Sequence, residues 1–328
     1  MTTTLDVAVE RWPLAGVFTI ARGSRTEAVV VVVTLTRDGV TGRGECVPYA
    51  RYGETVDSVV AAIEAARPAL CAGADRSTIG AAMPAGAARN AVDCALWDLE
   101  AKLAGVPAHV IAGIDRLAPA TTCYTISLGT PAAMAGSAAL QADRPILKVK
   151  LGGGDDDPER IAAVRDAAPD CLLLVDANEG WSAQSLARNI DACARAGVAL
   201  VEQPLPAVQD HALEGTRWPI PVCADESAHG IETLGDVARR YQAINIKLDK
   251  TGGLTSALSL VAAAKDEGLD VFIGCMVGTS LAMAPAMLLT PQARFVDLDA
   301  PLLLARDRPD GLRYEGSVVF PPARALWG

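Results

Sequence analysis

The spacing of hydrophobic positions changes near residue 120 and divides the chain into two parts. In the first part, the apolar segments FTIARG (18–23) and EAVVVVVTLT (27–36) are rich in β-branched residues and predict strands. Asp38-Gly39 follows the second segment and predicts a hairpin turn before a third strand in VTGRGECVPY (40–49). The first part of the chain is therefore predicted to begin with β-strands.

Apolar residues then recur at helical spacing in two stretches, residues 55–70 and 87–104. Gly105 and then Pro107 predict the end of the second helix, because neither continues a helix well. A run of strands followed by a run of helices is typical of an α+β domain. We assign this domain to residues 1–115.

From about residue 120, short apolar segments alternate with alanine-rich stretches that suit helices. Strands that alternate with helices indicate parallel βα units, and eight of them predict a (β/α)₈ barrel over residues 116–301. An open doubly wound sheet is the alternative. Asp157-Pro158-Glu159 predicts one helix start, with Asp157 as the N-cap. From residue 302 the chain is β-like again, and the segment 302–328 is expected to pack back on the N-terminal domain. The eight segments are TTCYTISLG, ILKVKL, CLLLVDAN, VALVEQPL, PVCADES, AINIKLDK, VFIGCMVG and RFVDLDAP.

Polar residues interrupt these apolar strands at one place, the C-terminal end of each strand. In ILKVKL (146–151), the side chains of Lys148 and Lys150 point to the same side, and buried lysines need charged partners. Because the C-terminal ends of barrel strands converge on one mouth, we expect the polar residues of the other strands to face these lysines. Those residues are Asp176, Glu202, Asp225, Lys247, Asp297 and Asp299.

Three carboxylates on consecutive strands repel one another, and a hard divalent cation such as Mg²⁺ offsets the cost of burying them. Such a cation can bind a carboxylate substrate and stabilise the enediolate that forms when the α-hydrogen is removed. Lysines in this setting are expected to have lowered pKa values and to act as bases. Two lysines on opposite walls therefore predict 1,1-proton transfer, which means racemisation or epimerisation.

Composition narrows the class of protein further. The net charge of −10 and the pI of about 4.9 argue against a nucleic-acid binder and against a protein of anionic membrane surfaces. Eight cysteines without a C-x-x-C pair predict reduced thiols in a cytoplasmic protein. The first residues lack a signal-peptide pattern, and the longest aliphatic run, AVVVVVTL, is too short to cross a bilayer.

Several motifs together resemble the enolase superfamily, in its muconate-lactonizing subgroup, and within that subgroup the dipeptide epimerases. The resemblance covers essentially the whole chain and implies a modified (β/α)₇β barrel with an N-terminal α+β capping domain. The resemblance also implies that the protein forms a homo-oligomer. The motifs at the strand ends are KVK (148–150), VDANEGW (175–181), VEQP (201–204), ADES (224–227) and NIKLDKTGG (245–253). FTIARGSRTEA, GECVPYARYGE, PAGAARNAVDCALWDLEAK, GCMVGTS and FVDLDAP extend the similarity.

The resemblance implies roles for the charged residues at the mouth. One Mg²⁺ per subunit is expected. Lys150 and Lys247 match the two acid/base catalysts, and Lys148 matches a lysine that contacts the substrate carboxylate. The residues that match the metal ligands are Asp176, Glu202 and Asp225.

The resemblance also implies a dipeptide substrate, L-Ala-D/L-Glu, and a set of contacts to it. Asp297 and Asp299 match a D-x-D pair that holds the free α-ammonium group. Arg22 is expected to meet the glutamate side chain, and Arg25 is a nearby competitor for this role. The remaining substrate contacts expected at strand ends are Thr125, Gly278 and Thr279.

Other functions stay open at this point. Within the same fold they are muconate cycloisomerase, o-succinylbenzoate synthase and N-acylamino-acid racemase, whose substrates lack the free ammonium group that a D-x-D pair would bind. A Schiff-base aldolase or phosphosugar isomerase barrel could use Gly278-Thr279-Ser280 for phosphate, but leaves the three carboxylates unexplained. A catalytically inactive binding protein is the non-enzymatic alternative.

Overall fold

The computed structural model describes residues 3–328 and has two domains. The N-terminal domain is an antiparallel three-stranded sheet, in the order β1-β2-β3, covered by helices. Asp38 and Gly39 both have positive φ at the β2–β3 hairpin, as the sequence predicted. Both predicted helices are also confirmed, as the first and third of the four. The elements are β1 (Thr4–Ile20), β2 (Gly23–Arg37), β3 (Val40–Cys46), α1 (Val56–Cys71), α2 (Arg76–Ala82), α3 (Ala87–Ala104) and α4 (Ala108–Ile111).

Helix α3 lies between the two domains and is almost entirely buried. One side of it, with Ala95 and Leu99, belongs to the core of the N-terminal sheet. The other side, with Cys94 and Trp97, belongs to the core of the second domain. The helix approaches β3 so closely that a Cβ atom on Gly44 would lie 2.1 Å from a backbone oxygen of the helix. This close packing gives the N-terminal sheet a fixed position over the second domain.

The second domain is an eight-stranded parallel sheet whose strands follow one another in chain order from β5 to β12. Backbone N–H of Cys123 donates to the carbonyl oxygen of Val296 at 2.9 Å, so the two edges of the sheet meet and the barrel closes. The eight predicted segments are all confirmed as strands. After the short strand β4 (Ala120–Thr121), they are β5 (Tyr124–Ile126), β6 (Ile146–Lys150), β7 (Leu172–Asp176), β8 (Val198–Glu202), β9 (Val222–Ala224), β10 (Ala243–Ile246), β11 (Asp270–Ile273) and β12 (Phe295–Val296).

Seven connections join the eight strands, which confirms the (β/α)₇β fold and excludes the open doubly wound sheet. Six of them contain α-helices, and the β8–β9 connection contains only the 3₁₀ helix Asp210–Leu213. The helices of this domain are α5 (Pro131–Ala139), α6 (Asp157–Ala167), α7 (Ala183–Arg195), α8 (Ile231–Arg240), α9 (Leu248–Thr251), α10 (Leu254–Asp266), α11 (Ser280–Ala286) and α12 (Ala300–Leu303). Further 3₁₀ helices are Ala50–Tyr52 and Met287–Gln292.

The predicted start of α6 is wrong by one residue. Asp156 is the N-cap, and Asp157 is the first helical residue. The Asp157 carboxylate is buried because it accepts hydrogen bonds from the Gly152 backbone N–H at 2.7 Å and from Trp181 Nε1 at 2.8 Å. The Asp157 carboxylate therefore connects the turn after β6 with the turn after β7, close to Lys150.

The last residues of the chain contact both domains. Strand β14 (Val318–Val319) pairs with β4 and with β13 (Tyr314–Glu315). Trp327 Nε1 donates to the carbonyl oxygen of Cys94 in α3 at 3.0 Å. The boundaries at residues 115 and 301 stay predictions. No helix within residues 3–328 combines the length and apolar character that a membrane span requires, and all eight cysteines are free thiols.

Candidate active site

Three carboxylates meet at the C-terminal mouth of the barrel. Asp176 and Glu202 are the last residues of β7 and β8 and are paired in register, and Asp225 directly follows β9. All three are buried, and each offers a carboxylate oxygen within 4.8 Å of the other two. Each sits at a strand end because the preceding apolar residues are buried in the barrel core, where a carboxylate would have no partner.

Lysines carried by two strands, β6 and β10, surround these carboxylates. Lys150 Nζ, at the end of β6, lies 2.6 Å from Asp176 Oδ2. Lys247 Nζ, directly after β10, lies 2.6 Å from Asp225 Oδ2. The structure thus brings together the two lysines predicted as acid/base catalysts and the predicted metal ligands, while the catalytic and ligand roles stay predictions.

Lys148 lies deeper in the barrel than Lys150. Its side chain is 1% exposed, and its Nζ lies 2.8 Å from Glu202 Oε2, 2.7 Å from Asp297 Oδ2 and 3.5 Å from Asp176 Oδ2. These contacts explain the two lysines within ILKVKL, because the side of β6 that carries both lysines faces the acidic strand ends. Its predicted contact with a substrate carboxylate stays a prediction.

Neighbouring carboxylates have a strong effect on the pKa values of two of the lysines. Burial lowers the pKa of Lys148 and of Lys247, but the neighbouring carboxylates outweigh burial and hold both pKa values well above the ordinary value. The expectation of lowered pKa values concerned lysines beside a bound cation and stays a prediction. Among the protein groups, the negative charges of Asp225 and Glu202 raise the pKa of Lys247, and those of Asp297 and Glu202 raise the pKa of Lys148.

The carboxylates divide by environment. Burial opposes ionisation of Asp176 and Asp225, but lysines overcome it and lower both pKa values. Burial, together with the charge of Asp176, raises the pKa of Glu202 to about 7. Glu202 is therefore the member of the triad that most needs additional positive charge.

The donor set fits a hard divalent cation. All three groups are carboxylates, which Mg²⁺ prefers as protein ligands. Among the described residues 3–328, the buried Glu202 Oε2 has no hydrogen-bond donor, although Lys148 Nζ lies 2.8 Å away as an ion-pair partner. A second layer orients the other oxygens: Asn178 N donates to Asp176 Oδ1 at 2.9 Å, and Asn245 Nδ2 donates to Glu202 Oε1 at 2.8 Å.

Lys250 also belongs to this second layer, as the structural or salt-bridging lysine that the sequence indicates. Its Nζ lies 2.6 Å from Asp225 Oδ1 and 2.9 Å from the carbonyl oxygen of Asn245. It fixes the side of Asp225 that Lys247 does not use. Its position three residues after Lys247, on the turn α9, could have indicated this side-by-side contact.

The predicted D-x-D pair lies at the same mouth, after β12. Asp297 accepts from Lys148 Nζ at 2.7 Å, and Asp299 accepts from the Thr125 backbone N–H at 2.7 Å. The structure therefore places the predicted residues Thr125 and Asp299 together. Burial and the charge of Asp297 raise the pKa of Asp299 to about 7. Within residues 3–328, Asp299 forms no ion pair, whereas Asp297 pairs with Lys148.

Gly278 and Thr279 are turned away from the lysines. Thr279 binds Glu45 of β3 through both its backbone N–H and its hydroxyl group, and Arg308 Nε donates to that hydroxyl at 2.7 Å. Their predicted contact with substrate stays a prediction. The residues of the same strand end that line the cleft are Cys275, Met276 and Val277, which sequence reasoning missed because nothing in their side-chain types marks them.

A cleft lies over Lys150, Lys247 and Asp225, between the barrel and two segments of the N-terminal domain. Arg22, in the turn between β1 and β2, and Arg25, near the start of β2, both line it. The remaining lining residues from the N-terminal domain are Phe18, Ile20, Tyr49 and Tyr52, which the sequence did not single out.

The two arginines differ in their partners. Arg22 uses both terminal nitrogens: Nη2 lies 2.6 Å from Glu226 Oε1, and Nη1 lies 2.8 Å from the carbonyl oxygen of Asn178 and 3.2 Å from Glu179 Oε2. Arg25 has no carboxylate partner among residues 3–328, and its guanidinium lies 5.9 Å from the ring of Tyr49.

Comparison with known proteins decides the family. Residues 2–113 match the family described as mandelate racemase / muconate lactonizing enzyme, N-terminal domain, and residues 133–324 match the family described as enolase C-terminal domain-like. The chain belongs to the enolase superfamily. The predicted resemblance is thereby confirmed over nearly the whole chain.

Among enolase-superfamily relatives, the chain is 48% identical to an L-Ala-D/L-Glu epimerase of Escherichia coli, over 95% of this chain and 97% of the relative. It is 43% identical to an N-acetyl-D-glutamate racemase of a Pseudoalteromonas species, over 91% and 95% of the two chains.

Solved structures of the superfamily superpose closely. An enolase family member from Agrobacterium tumefaciens with homology to dipeptide epimerases, bound to sodium and L-Ala-L-Glu, has a TM-score of 0.97 at 50% identity and covers 99% of this chain and 100% of its own. A dipeptide epimerase from Cytophaga hutchinsonii, complexed with Mg and D-Ala-L-Val, has a TM-score of 0.92 at 27% identity and covers 98% and 94%.

Proposed function

We propose that this protein is an Mg²⁺-dependent dipeptide epimerase that interconverts L-Ala-L-Glu and L-Ala-D-Glu. The observation that carries the proposal is the position of Lys150 and Lys247, which lie four strands apart in the barrel and each contact the same triad of carboxylates. The activities of the relatives named above support the same reaction class, isomerisation at a carbon next to a carboxylate.

In the proposed reaction, one lysine removes the α-hydrogen of the second residue and the other returns a proton to the opposite face. A neutral amine is required for the first step, so the carboxylate that holds each lysine must be engaged elsewhere when substrate is bound. Lys148 is buried among Glu202, Asp176 and Asp297 and supplies fixed positive charge beneath the two bases.

The proposed metal ligands are Asp176, Glu202 and Asp225. A bound Mg²⁺ would supply the positive charge that stabilises the enediolate character of the substrate and lowers the lysine pKa values. The protein groups prepare this site, since Asn178, Asn245 and Lys250 hold the carboxylates in place through hydrogen bonds.

The two ends of the dipeptide are proposed to meet different charges. Asp297 and Asp299 would face the free α-ammonium group, and Asp299 is the better-placed charge because Asp297 already pairs with Lys148. A cleft arginine would meet an acidic second side chain. Arg22 would have to exchange Glu226 for that carboxylate, whereas Arg25 can bind it without breaking an ion pair.

The second candidate is racemisation of an N-acylated amino acid, which the similarity to an N-acetyl-D-glutamate racemase favours. That reaction would use the same two lysines but would give Asp299 no ammonium partner. The buried Asp299, with its pKa raised to about 7, favours the dipeptide. A cytoplasmic role in converting L-Ala-D-Glu released from cell-wall peptide fits this substrate.

The experiment is a screen of a dipeptide library and N-acetylglutamate in D₂O with Mg²⁺, with mass detection of α-hydrogen exchange. We expect exchange with L-Ala-L-Glu and L-Ala-D-Glu, and much less with N-acetylglutamate. Exchange confined to N-acylated amino acids would replace the proposal with the second candidate.

A further inference from the structure

A buried cluster of charged and polar groups joins three separate segments of the chain beside the cleft. At its centre is Glu45 in β3, which is 1% exposed. Glu45 Oε1 accepts from the Thr279 backbone N–H at 2.7 Å, and Glu45 Oε2 accepts from the Thr279 hydroxyl and from Arg308 Nη2 at 2.7 Å. A Cβ atom on Gly278 would lie 2.9 Å from Glu45 Oε1, so the absence of a side chain there permits the contact.

Arg308, near the end of the chain, completes the cluster. Its Nε donates to Thr279 Oγ1 at 2.7 Å and its Nη2 to Glu10 Oε2 at 2.7 Å. Burial raises the pKa of Glu45 despite this arginine. A buried ion pair that loses one partner leaves the other charge uncompensated, so the contact holds its segments together firmly.

A second set of hydrogen bonds holds the chain just after β3, at Val47, two residues after Glu45. Backbone N–H of Val47 donates to Asp249 Oδ1 at 3.1 Å, and Asn90 Nδ2 donates to the same oxygen at 2.9 Å. Asp249 comes two residues after Lys247. The short segment 45–47 is thus tied both to the strand end that carries a proposed catalytic lysine and to the strand end that carries Thr279.

The two segments that these contacts hold, after Val47 and before Thr279, lead directly into residues that line the cleft. The residues after Val47 include Tyr49 and Tyr52, which line the cleft from above, and the residues before Thr279 include Met276 and Val277, which line its side. Glu45 and Val47 thus connect the segments that form these two walls.

We propose that Glu45 is a positioning residue for the reaction, which acts through Thr279 and Val47 to fix the width of the substrate cleft. Arg308 holds Glu45 in this role, and neither residue lines the cleft itself. The inference rests on the proposed function and goes beyond it, because it assigns to the β3 end and the C-terminal segment an effect on substrate binding. In this proposal, Thr279 affects substrate binding through its contact with Glu45.

The test compares Glu45→Gln and Arg308→Met with a matched control, Arg43→Met. Arg43 also lies in β3 and also links it to the C-terminal segment, through the carbonyl oxygens of Ala325 and Leu326 at 2.9 and 3.0 Å, but its side chain forms no hydrogen bond with residues 278–280. We expect Glu45→Gln and Arg308→Met to raise KM for L-Ala-L-Glu about tenfold, with kcat within about twofold of the wild type. Arg43→Met should leave KM within about twofold.

Thr279→Val provides a milder version, because it removes the hydroxyl contact and keeps the backbone one. Its effect on KM should not add to that of Glu45→Gln, since both changes break the same contact. The proposal would be overturned if all variants, including Arg43→Met, changed kcat and KM to the same extent. It would also be overturned if the effects of Thr279→Val and Glu45→Gln on KM were fully additive.

Amide hydrogen exchange of the Mg²⁺-loaded protein gives a readout that does not depend on the substrate. Glu45→Gln should increase exchange about tenfold or more in residues 275–279 and 48–52, and Arg43→Met should not. If the wild type proves inactive on dipeptides but this pattern holds, the proposed function fails and the positioning role stands. Unchanged exchange in Glu45→Gln would remove the positioning role even in an active epimerase.

Discussion

Lys150 and Lys247 stand four strands apart in the barrel, yet each ammonium nitrogen lies 2.6 Å from an oxygen of the same buried carboxylate triad. The triad therefore lies between the two amines. A substrate carboxylate bound at the triad would present its α-carbon between two potential bases. This relationship is the structural basis of the proposed two-base reaction.

Removal of divalent cations should abolish activity and lower stability. Because Glu202 has a pKa of about 7 without added positive charge, EDTA-treated protein should lose activity by at least ~10³-fold. Mg²⁺ should restore it and raise the melting temperature, and the gain in unfolding free energy should follow the logarithm of one plus the ratio of the free Mg²⁺ concentration to Kd. Glu202→Gln should show neither effect of Mg²⁺, while Glu100→Gln, which breaks a cap-domain pair with Arg76, should behave as the wild type. Full activity in EDTA would contradict the metal assignment.

Asp299→Asn should weaken binding of the free ammonium group selectively. The asparagine can still accept from the Thr125 N–H, so the change removes charge and little else. We expect KM for L-Ala-L-Glu to rise about tenfold, while binding of its N-acetyl derivative stays the same. In the wild type, dipeptide binding should weaken as pH falls below about 7, because protonation neutralises Asp299. An equal effect on both ligands would argue that Asp299 has only a structural role.

The two cleft arginines should differ in substitution experiments. Arg25→Met should reduce the preference for an acidic second residue about tenfold, because its guanidinium is free to bind a carboxylate. Arg22→Met should lower kcat/KM for acidic and neutral dipeptides alike, since Arg22 ties the loop to Glu226 and Glu179. Measuring kcat/KM for L-Ala-L-Glu and L-Ala-L-Gln separates the two roles. Loss of acidic preference only in Arg22→Met would restore Arg22 as the substrate contact.

Asp249 should make stability depend on pH. Burial raises its pKa from 3.8 to about 7. Between about pH 4 and pH 7, Asp249 is therefore protonated in the folded protein and ionised in the unfolded chain. The contribution of Asp249 to the free energy of unfolding is therefore fully present below about pH 4 and is lost as pH rises through 7. The free energy of unfolding should fall by the order of a few kcal/mol over this range. Asp249→Asn should therefore reduce the fall in unfolding free energy between pH 5 and pH 8, measured with urea. An unchanged pH dependence would show that Asp249 stays ionised when folded.

Sequence reasoning succeeded where one physical constraint decided the outcome. The apolar strands had to be buried on both sides, so a charged residue could stand only at a strand end, and Asp176 and Glu202 are both the last residue of their strand. Lys148 and Lys150 share a side because strand side chains alternate. These constraints bring the predicted lysines and carboxylates together.

Other features depended on contacts between distant segments that no local pattern contains. Thr279 turns toward Glu45, 234 residues earlier in the chain, instead of toward the cleft. Arg22 pairs with Glu226, 204 residues later, and the sequence alone could not distinguish it from Arg25. Asp157 turns inward because Trp181 and Gly152 offer it donors. The lysine pKa values likewise depend on how many carboxylates reach each amine.

The most direct test of the two-base reaction follows α-hydrogen exchange by NMR in D₂O for Lys150→Ala and Lys247→Ala with L-Ala-L-Glu and L-Ala-D-Glu. With one base removed, each variant should lose epimerisation by at least ~10³-fold. Each should still exchange the α-hydrogen of one diastereomer, and the two variants should favour opposite diastereomers. Normal epimerisation by either variant would contradict the account.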